Sequence, residues 1–133
     1  MKSYLIGVDI GGTTVKLGLF TPEAELIEKW EIETRKYEGG KYILDDIVNF
    51  IEEKLKKKNI DKSMIEGIGV GVPGPVNNDG IVKSCVNLGW KEFNIEKTLS
   101  ELIKLPVKAG NDRTYLILLR ALRKQENLKK DLR

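Results

Sequence analysis

The sequence predicts an α/β domain: a five-stranded mixed sheet with flanking helices. Three observations carry this reading. Residues 1–34 break into three short apolar runs separated by Gly-Gly and Thr-Pro turns, residues 41–58 hold a long apolar stripe of helical period, and Ile65 to Val72 is a β-branched, glycine-punctuated run of the kind a buried strand uses. At 133 residues, with 41% hydrophobic and 32% charged side chains, the chain suits one globular core. A domain of this length buries roughly two-thirds of the surface its unfolded chain exposes.

The elements follow in order. Tyr4 to Ile10 ends in Gly11-Gly12, and Val15, Leu17, Leu19 and Phe20 follow Thr13-Thr14, which reads as a strand near 3–10, a tight turn and a strand near 14–21. After Thr21-Pro22, Leu26 to Thr34 partly alternates with Trp30 and Ile32 on one face, so a third strand near 25–34 completes an antiparallel meander. Beyond Gly39-Gly40, Ile43, Ile47, Ile51 and Leu55 recur every four residues and Leu44 and Val48 widen the stripe. Lys54, Lys56, Lys57 and Lys58 close this helix, where they favour its dipole.

Pro73-Gly74-Pro75 ends the strand at 65–72, and Asn77-Asn78-Asp79-Gly80 is a turn inside an expected hairpin that returns through Ile81-Val82. Asn94 can cap a short helix near 95–104 carrying Ile95, Leu99, Leu102 and Ile103, stopped by Pro106. Residues 107–110 form a last brief strand entering Asn111-Asp112. In the tail, Tyr115, Leu118, Leu119 and Leu122 stand at helical spacing.

Composition removes several classes of function. No apolar run nears the roughly 20 residues that cross a bilayer, and Met1-Lys2-Ser3 leads directly into a strand, so a cytoplasmic protein without membrane contact is expected. Cys85 is the only cysteine and there is no histidine. An internal disulfide, imidazole chemistry and a zinc site of the usual Cys and His ligands are therefore ruled out. The net charge of +3 is unevenly placed: residues 1–112 carry −2 and residues 113–133 carry +5. The basic tail lacks interleaved aromatics and any nucleic-acid motif, so no nucleic-acid partner is expected.

Gly7-Val8-Asp9-Ile10-Gly11-Gly12-Thr13-Thr14-Val15-Lys16 is the strongest chemical feature. Paired glycines between two strands let backbone N–H groups approach an anion, and the Thr13 and Thr14 hydroxyls add donors, an arrangement suited to phosphate oxygens. Asp9 would repel phosphate directly, so its useful role is to position a hydrated Mg²⁺ there, with Lys16 as a nearby cation. Two other strings mislead. Gly69-Val70-Gly71-Val72-Pro73-Gly74 fits G-x-G-x-x-G but runs into Pro75 rather than a helix, and Gly11-Gly12-Thr13-Thr14 lacks the Gly-Lys-Ser/Thr of a Walker loop. Gly110-Asn111-Asp112 closes the last strand. An Asp there can take the proton of an attacking hydroxyl, as phosphoryl transfer to an alcohol requires, or it can simply cap the next helix.

Together, the Asp9 to Lys16 string, Gly69 to Val76, Asn87-Leu88-Gly89-Trp90 and Gly110-Asn111-Asp112 resemble the N-terminal lobe of the ROK family of sugar kinases and sugar-responsive repressors, most of all its bacterial glucokinases. The resemblance spans nearly all of residues 1–112. It implies the actin-like, ribonuclease-H-like ATPase fold, ATP and Mg²⁺ as cofactors, and a glucose-like hexose as substrate. Asp112 becomes the general base, Asn111 a sugar ligand, and Gly74, Pro75 and Asn87 neighbours of the sugar. Asp9, Gly11, Gly12, Thr13, Thr14 and Lys16 become the phosphate and metal end. Trp90 is expected in the core.

The departures set the expected division at residue 112. Where the family continues with small residues, Arg113-Thr114-Tyr115-Leu116-Ile117-Leu118-Leu119 is bulky, and the family's Glu-x-Gly-His motif, zinc loop and adenine-holding lobe are missing. Residues 1–112 thus read as the kinase lobe and 113–133 as a basic, apolar helical tail of a truncated or frame-shifted product, inactive alone. The surplus of tail leucines is expected to drive homo-oligomerisation. A non-catalytic sugar- or phosphate-binding module is the alternative. A repressor is disfavoured, because ROK repressors carry a helix-turn-helix ahead of the lobe and this chain begins at the first strand.

Overall fold

A computed structural model describes residues 3–110 and 115–123. Its strands are β1 (Tyr4–Ile10), β2 (Thr14–Phe20), β3 (Leu26–Glu33), β4 (Ile65–Gly71), β5 (Ile81–Val82), β6 (Phe93–Asn94) and β7 (Val107–Ala109). Five of them form one sheet in the order β3-β2-β1-β4-β7, antiparallel across β3-β2-β1 and parallel across β1-β4-β7. This is the mixed sheet the sequence predicts. The helices are α1 (Ile43–Lys57), α2 (Ile95–Ile103) and α3 over residues 115–123.

Strand alternation gives the sheet two different faces. On one, Ile6, Val8 and Ile10 of β1 and Ile68 and Val70 of β4 pack with Ile43, Ile47 and Ile51 of α1 and Leu99 and Ile103 of α2. That face is the main core, and Trp90 joins it as expected. The α1 stripe ends in Lys54, Lys56 and Lys57 as the sequence reading requires, and Asp45 and Asp46 lie in its first turn, both sets matched to the helix dipole. Asn94 caps α2, its side-chain oxygen accepting the Lys97 N–H at 3.0 Å.

The opposite face is stripped by glycine. A Cβ placed on Gly18 would come within 2.7 Å of the Leu122 side chain, and one on Gly69 within 2.2 Å of the Tyr115 ring. Lacking those atoms, the sheet lets α3 lie almost on its backbone. Leu5 and Phe20 from the sheet close over Leu118 and Leu122 from α3 in a second, smaller core. Lys29 Nζ donates to the Leu122 carbonyl oxygen at 3.2 Å and ties down the end of the helix.

Two expectations change here. The tail leucines do not form an open apolar surplus: Leu118 and Leu122 are fully buried and Leu119 is 4% exposed, all against the chain's own sheet, so they supply no argument for self-association. Among the described apolar residues of the tail, Leu116 and Ile117 stay exposed. The hairpin is also different. Asn77 builds the expected turn, its side chain accepting the N–H groups of Asp79 and Ile81, but its two arms meet only at a Val76–Val82 bridge. Pro73 and Pro75 have no N–H with which to extend that ladder, and β5 pairs instead with β6, Ile81 opposite Asn94 and Val82 opposite Phe93.

Candidate functional site

The Gly11–Thr13 turn joins β1 to β2 and is braced from one side. Gly11 N–H donates to the Thr14 carbonyl at 3.0 Å. Thr34, only 5% exposed, donates its hydroxyl to the Gly11 carbonyl at 2.9 Å and its N–H to the Thr13 carbonyl at 2.9 Å. A buried hydroxyl must find such partners, and here they fix the turn. The N–H groups of Gly12 and Thr13 donate to no described residue. These two backbone donors stand beside the exposed Thr13 and the half-buried Thr14. Nothing in the sequence marks Thr34 for this work, because it reads there as the last residue of a strand.

Asp9 lies one step before the end of β1, opposite Lys16 in the ladder, and Lys16 in turn lies opposite Glu31. The Asp9 side chain is 14% exposed. Arg123 reaches it from the end of α3 with a two-pronged contact, Nε to Oδ2 at 3.1 Å and Nη2 to Oδ1 at 2.9 Å. The hydrogen bonds to Asp9 outweigh partial burial and push the guanidinium pKa above its ordinary value. Sequence reasoning did not find Arg123, since only the packing of α3 on the glycine face brings it to Asp9.

The Arg123 guanidinium neutralises Asp9 and would repel a hydrated Mg²⁺ brought to the same carboxylate, so this arrangement does not favour the Mg²⁺ expected there.

Gly74 and Pro75, together with Gly71, Val76, Gly110 and Arg123, line an open cavity of about 380 Å³. Arg123 thus touches both the cavity and Asp9. Asn87 is exposed in a short 3₁₀ turn over Val86–Leu88, and a Cβ on Gly12 would lie 4.0 Å from its Cβ. That sets Asn87 against the Gly11–Thr13 turn. The Ala109 N–H donates to Glu96 Oε2 at 2.7 Å, anchoring the end of β7 to the first turn of α2. Gly110 then turns the chain with φ +82°. Asn111 and Asp112 lie outside the described residues.

A five-stranded mixed sheet with a tight glycine turn between its first two strands, and a cavity at the ends of its parallel strands, defines an actin-like α/β lobe of the sugar-kinase type. The ROK family model matches residues 5–123, and the chain belongs to the ROK family. It is 40% identical over 110 residues to a glucokinase of Halalkalibacterium halodurans, covering 82% of this chain and 33% of that protein. It is 28% identical over 109 residues to a xylose repressor of Caldicellulosiruptor bescii, covering 81% of this chain and 27% of the repressor. Among solved structures, the ROK hexokinase of Thermus thermophilus superposes with a TM-score of 0.66 at 28% identity, over 80% of this chain and 34% of the hexokinase. The chain spans about a third of the length of the curated relatives it matches.

Proposed function

We propose that this chain is the phosphate- and sugar-contacting N-terminal lobe of an ATP-dependent hexose kinase acting on a glucose-like sugar in the cytoplasm. The observation that carries the reading is the braced Gly11–Thr13 turn, whose Gly12 and Thr13 N–H groups have no partner among the described residues. In this reading the turn and the Thr13 and Thr14 hydroxyls hold ATP phosphate oxygens, with Lys16 adding positive charge. Asn87 lies close enough to Gly12 to limit where the phosphates sit. Gly74 and Pro75 wall the sugar's side of the cavity. Asn111 orients sugar hydroxyls and Asp112 takes the proton of the attacking one, which raises its nucleophilicity as the phosphoryl group arrives.

Residues 1–133 by themselves are expected not to turn over. Phosphoryl transfer depends on positioning both reactants, and a polypeptide a third as long as its kinase relatives offers only one wall of the cleft. The test is amide NMR. Millimolar tripolyphosphate is expected to shift the Gly11 to Thr14 resonances and glucose those of Gly71, Gly74 and Gly110. Unmoved turn resonances would refute the phosphate reading, and unmoved cavity resonances the sugar reading. The xylose-repressor relative supports a second reading, a sugar-sensing lobe without catalysis. In that case glucose or xylose shifts the cavity amides while tripolyphosphate leaves the turn untouched.

A further inference from the structure

Asp9 raises a question of charge. A carboxylate beside a phosphate turn must be neutralised before a phosphate can settle there, and in this chain the neutralising group is already present as the Arg123 guanidinium. We propose that Arg123 stands in for a divalent cation, so that this lobe binds a terminal phosphate group without metal. Asp9 holds the guanidinium and the guanidinium holds the phosphate. The proposal rests on the reading of Gly11–Thr14 as a phosphate turn.

Donor arithmetic supports it. A guanidinium carries five N–H donors in a rigid fork. Asp9 accepts one from Nε and one from Nη2. Both hydrogens of Nη1 and the second hydrogen of Nη2 have no partner among the described residues, on a side chain that is 56% exposed and lines the cavity of about 380 Å³. Planar paired donors match phosphate oxygens, and the carboxylate behind them fixes the head group, so little rotamer freedom is lost when the anion arrives. Geometry also weighs against a mere plug. With Arg123 in its wall the cavity stays open, whereas a blocking side chain would fill it. The phosphate could belong to a polyphosphate chain on the turn side or to a phosphorylated sugar on the cavity side.

The experiment titrates tripolyphosphate and, separately, glucose 6-phosphate into the full chain, by calorimetry and by NMR of the arginine Nε–H and the Gly12 and Thr13 amides. Each is run in EDTA and in excess Mg²⁺, with wild type, Arg123→Ala and Arg123→Lys. For at least one ligand the wild-type Kd in EDTA should lie within about threefold of that in Mg²⁺, and Arg123→Ala should weaken binding in EDTA by about tenfold, the loss of one charge-assisted contact. Arg123→Lys, which keeps the charge and loses the fork, should fall between. The ligand that meets these terms tells the two sources apart. Wild-type binding that requires Mg²⁺ would overturn the proposal, and so would tighter binding by Arg123→Ala in EDTA, the mark of a plug. If neither ligand moves the turn amides in either buffer, the phosphate-turn reading fails and the proposal falls with it. Should Arg123→Ala unfold, the wild-type comparison of EDTA with Mg²⁺ and the Arg123→Lys variant still decide.

Discussion

The indole N–H of Trp90 donates to the carbonyl oxygen of Gly40 at 3.1 Å, across 50 residues of chain. The bond joins the entrance of α1 to the loop that carries Asn87, and the indole packs edge-on against Phe93 with ring centroids 5.0 Å apart. Gly40 has φ +70°, and a Cβ there would meet the Leu88 carbonyl at 2.2 Å. The Asn87 loop is thus seated on backbone, with no room for a side chain beneath it.

Trp90→Phe should keep most of the apolar contact but leave a buried carbonyl unpaired, at a cost of about 1–3 kcal/mol. Gly40→Ala should cost more, because strain at positive φ adds to the clash. Urea unfolding of both variants checks the order. A Trp90→Phe variant as stable as wild type would mean that the indole bond contributes nothing.

Leu122 and Leu118 should behave as core residues of a monomer. Leu122 is fully buried between Gly18, Phe20 and Leu26, so Leu122→Ala should destabilise by about 2–5 kcal/mol. Light scattering at micromolar concentration should give the 15.0 kDa monomer, since the helical leucines that would drive association are spent on the chain's own sheet. A dimer that Leu118→Ser and Leu122→Ser split without loss of stability would contradict the packing of α3.

Gly18→Ala tests the same contact from the sheet side. The new methyl would sit 2.7 Å from Leu122 and 2.8 Å from Phe20, forcing both to shift. Overpacking of this kind costs roughly 1–3 kcal/mol. Combined with Leu122→Ala, which opens space at that spot, the pair should be less destabilising than the two changes added together. Strict additivity in a double-mutant cycle would mean that Leu122 does not lie on Gly18.

How much of this was legible in the sequence follows from the range of the forces involved. Helical and strand periods are local, and Ile43, Ile47, Ile51 and Leu55 or Val15, Leu17 and Leu19 placed α1 and β2 to within one or two residues. Asn94 announced its cap because the capped N–H is three residues away. The alternate glycines of β4 were read as punctuation in a buried strand. That they clear a floor for α3 depends on Tyr115 and Leu119, some fifty residues distant. Thr34, Glu96 and Arg123 escaped for the same reason, since each acts on a turn, a strand end or a carboxylate far from it in the chain. The tight turn between β1 and β2 was legible, being built from adjacent residues.

Acid should weaken the link between β3 and the end of α1. Glu28 accepts from the ammonium of Lys58, just beyond α1, and from the Trp30 indole N–H at 2.8 Å. Its carboxyl is held below the usual carboxylate range, first by the Lys58 bond and then by the Trp30 bond. A carboxyl depressed in the folded state adds stability that is fully present above its unfolded pKa and disappears as the pH falls through its folded pKa. Glu28→Gln should therefore lower Tm at pH 7, and the gap from wild type should close as the pH is taken below the ordinary carboxylate range. The pair is solvent-facing, so salt should shrink the pH 7 gap as well. Differential melting from pH 7 downward, at low and high salt, measures both effects. A gap that persists unchanged into acid would show that Glu28 acts through packing of its stem rather than through its charge.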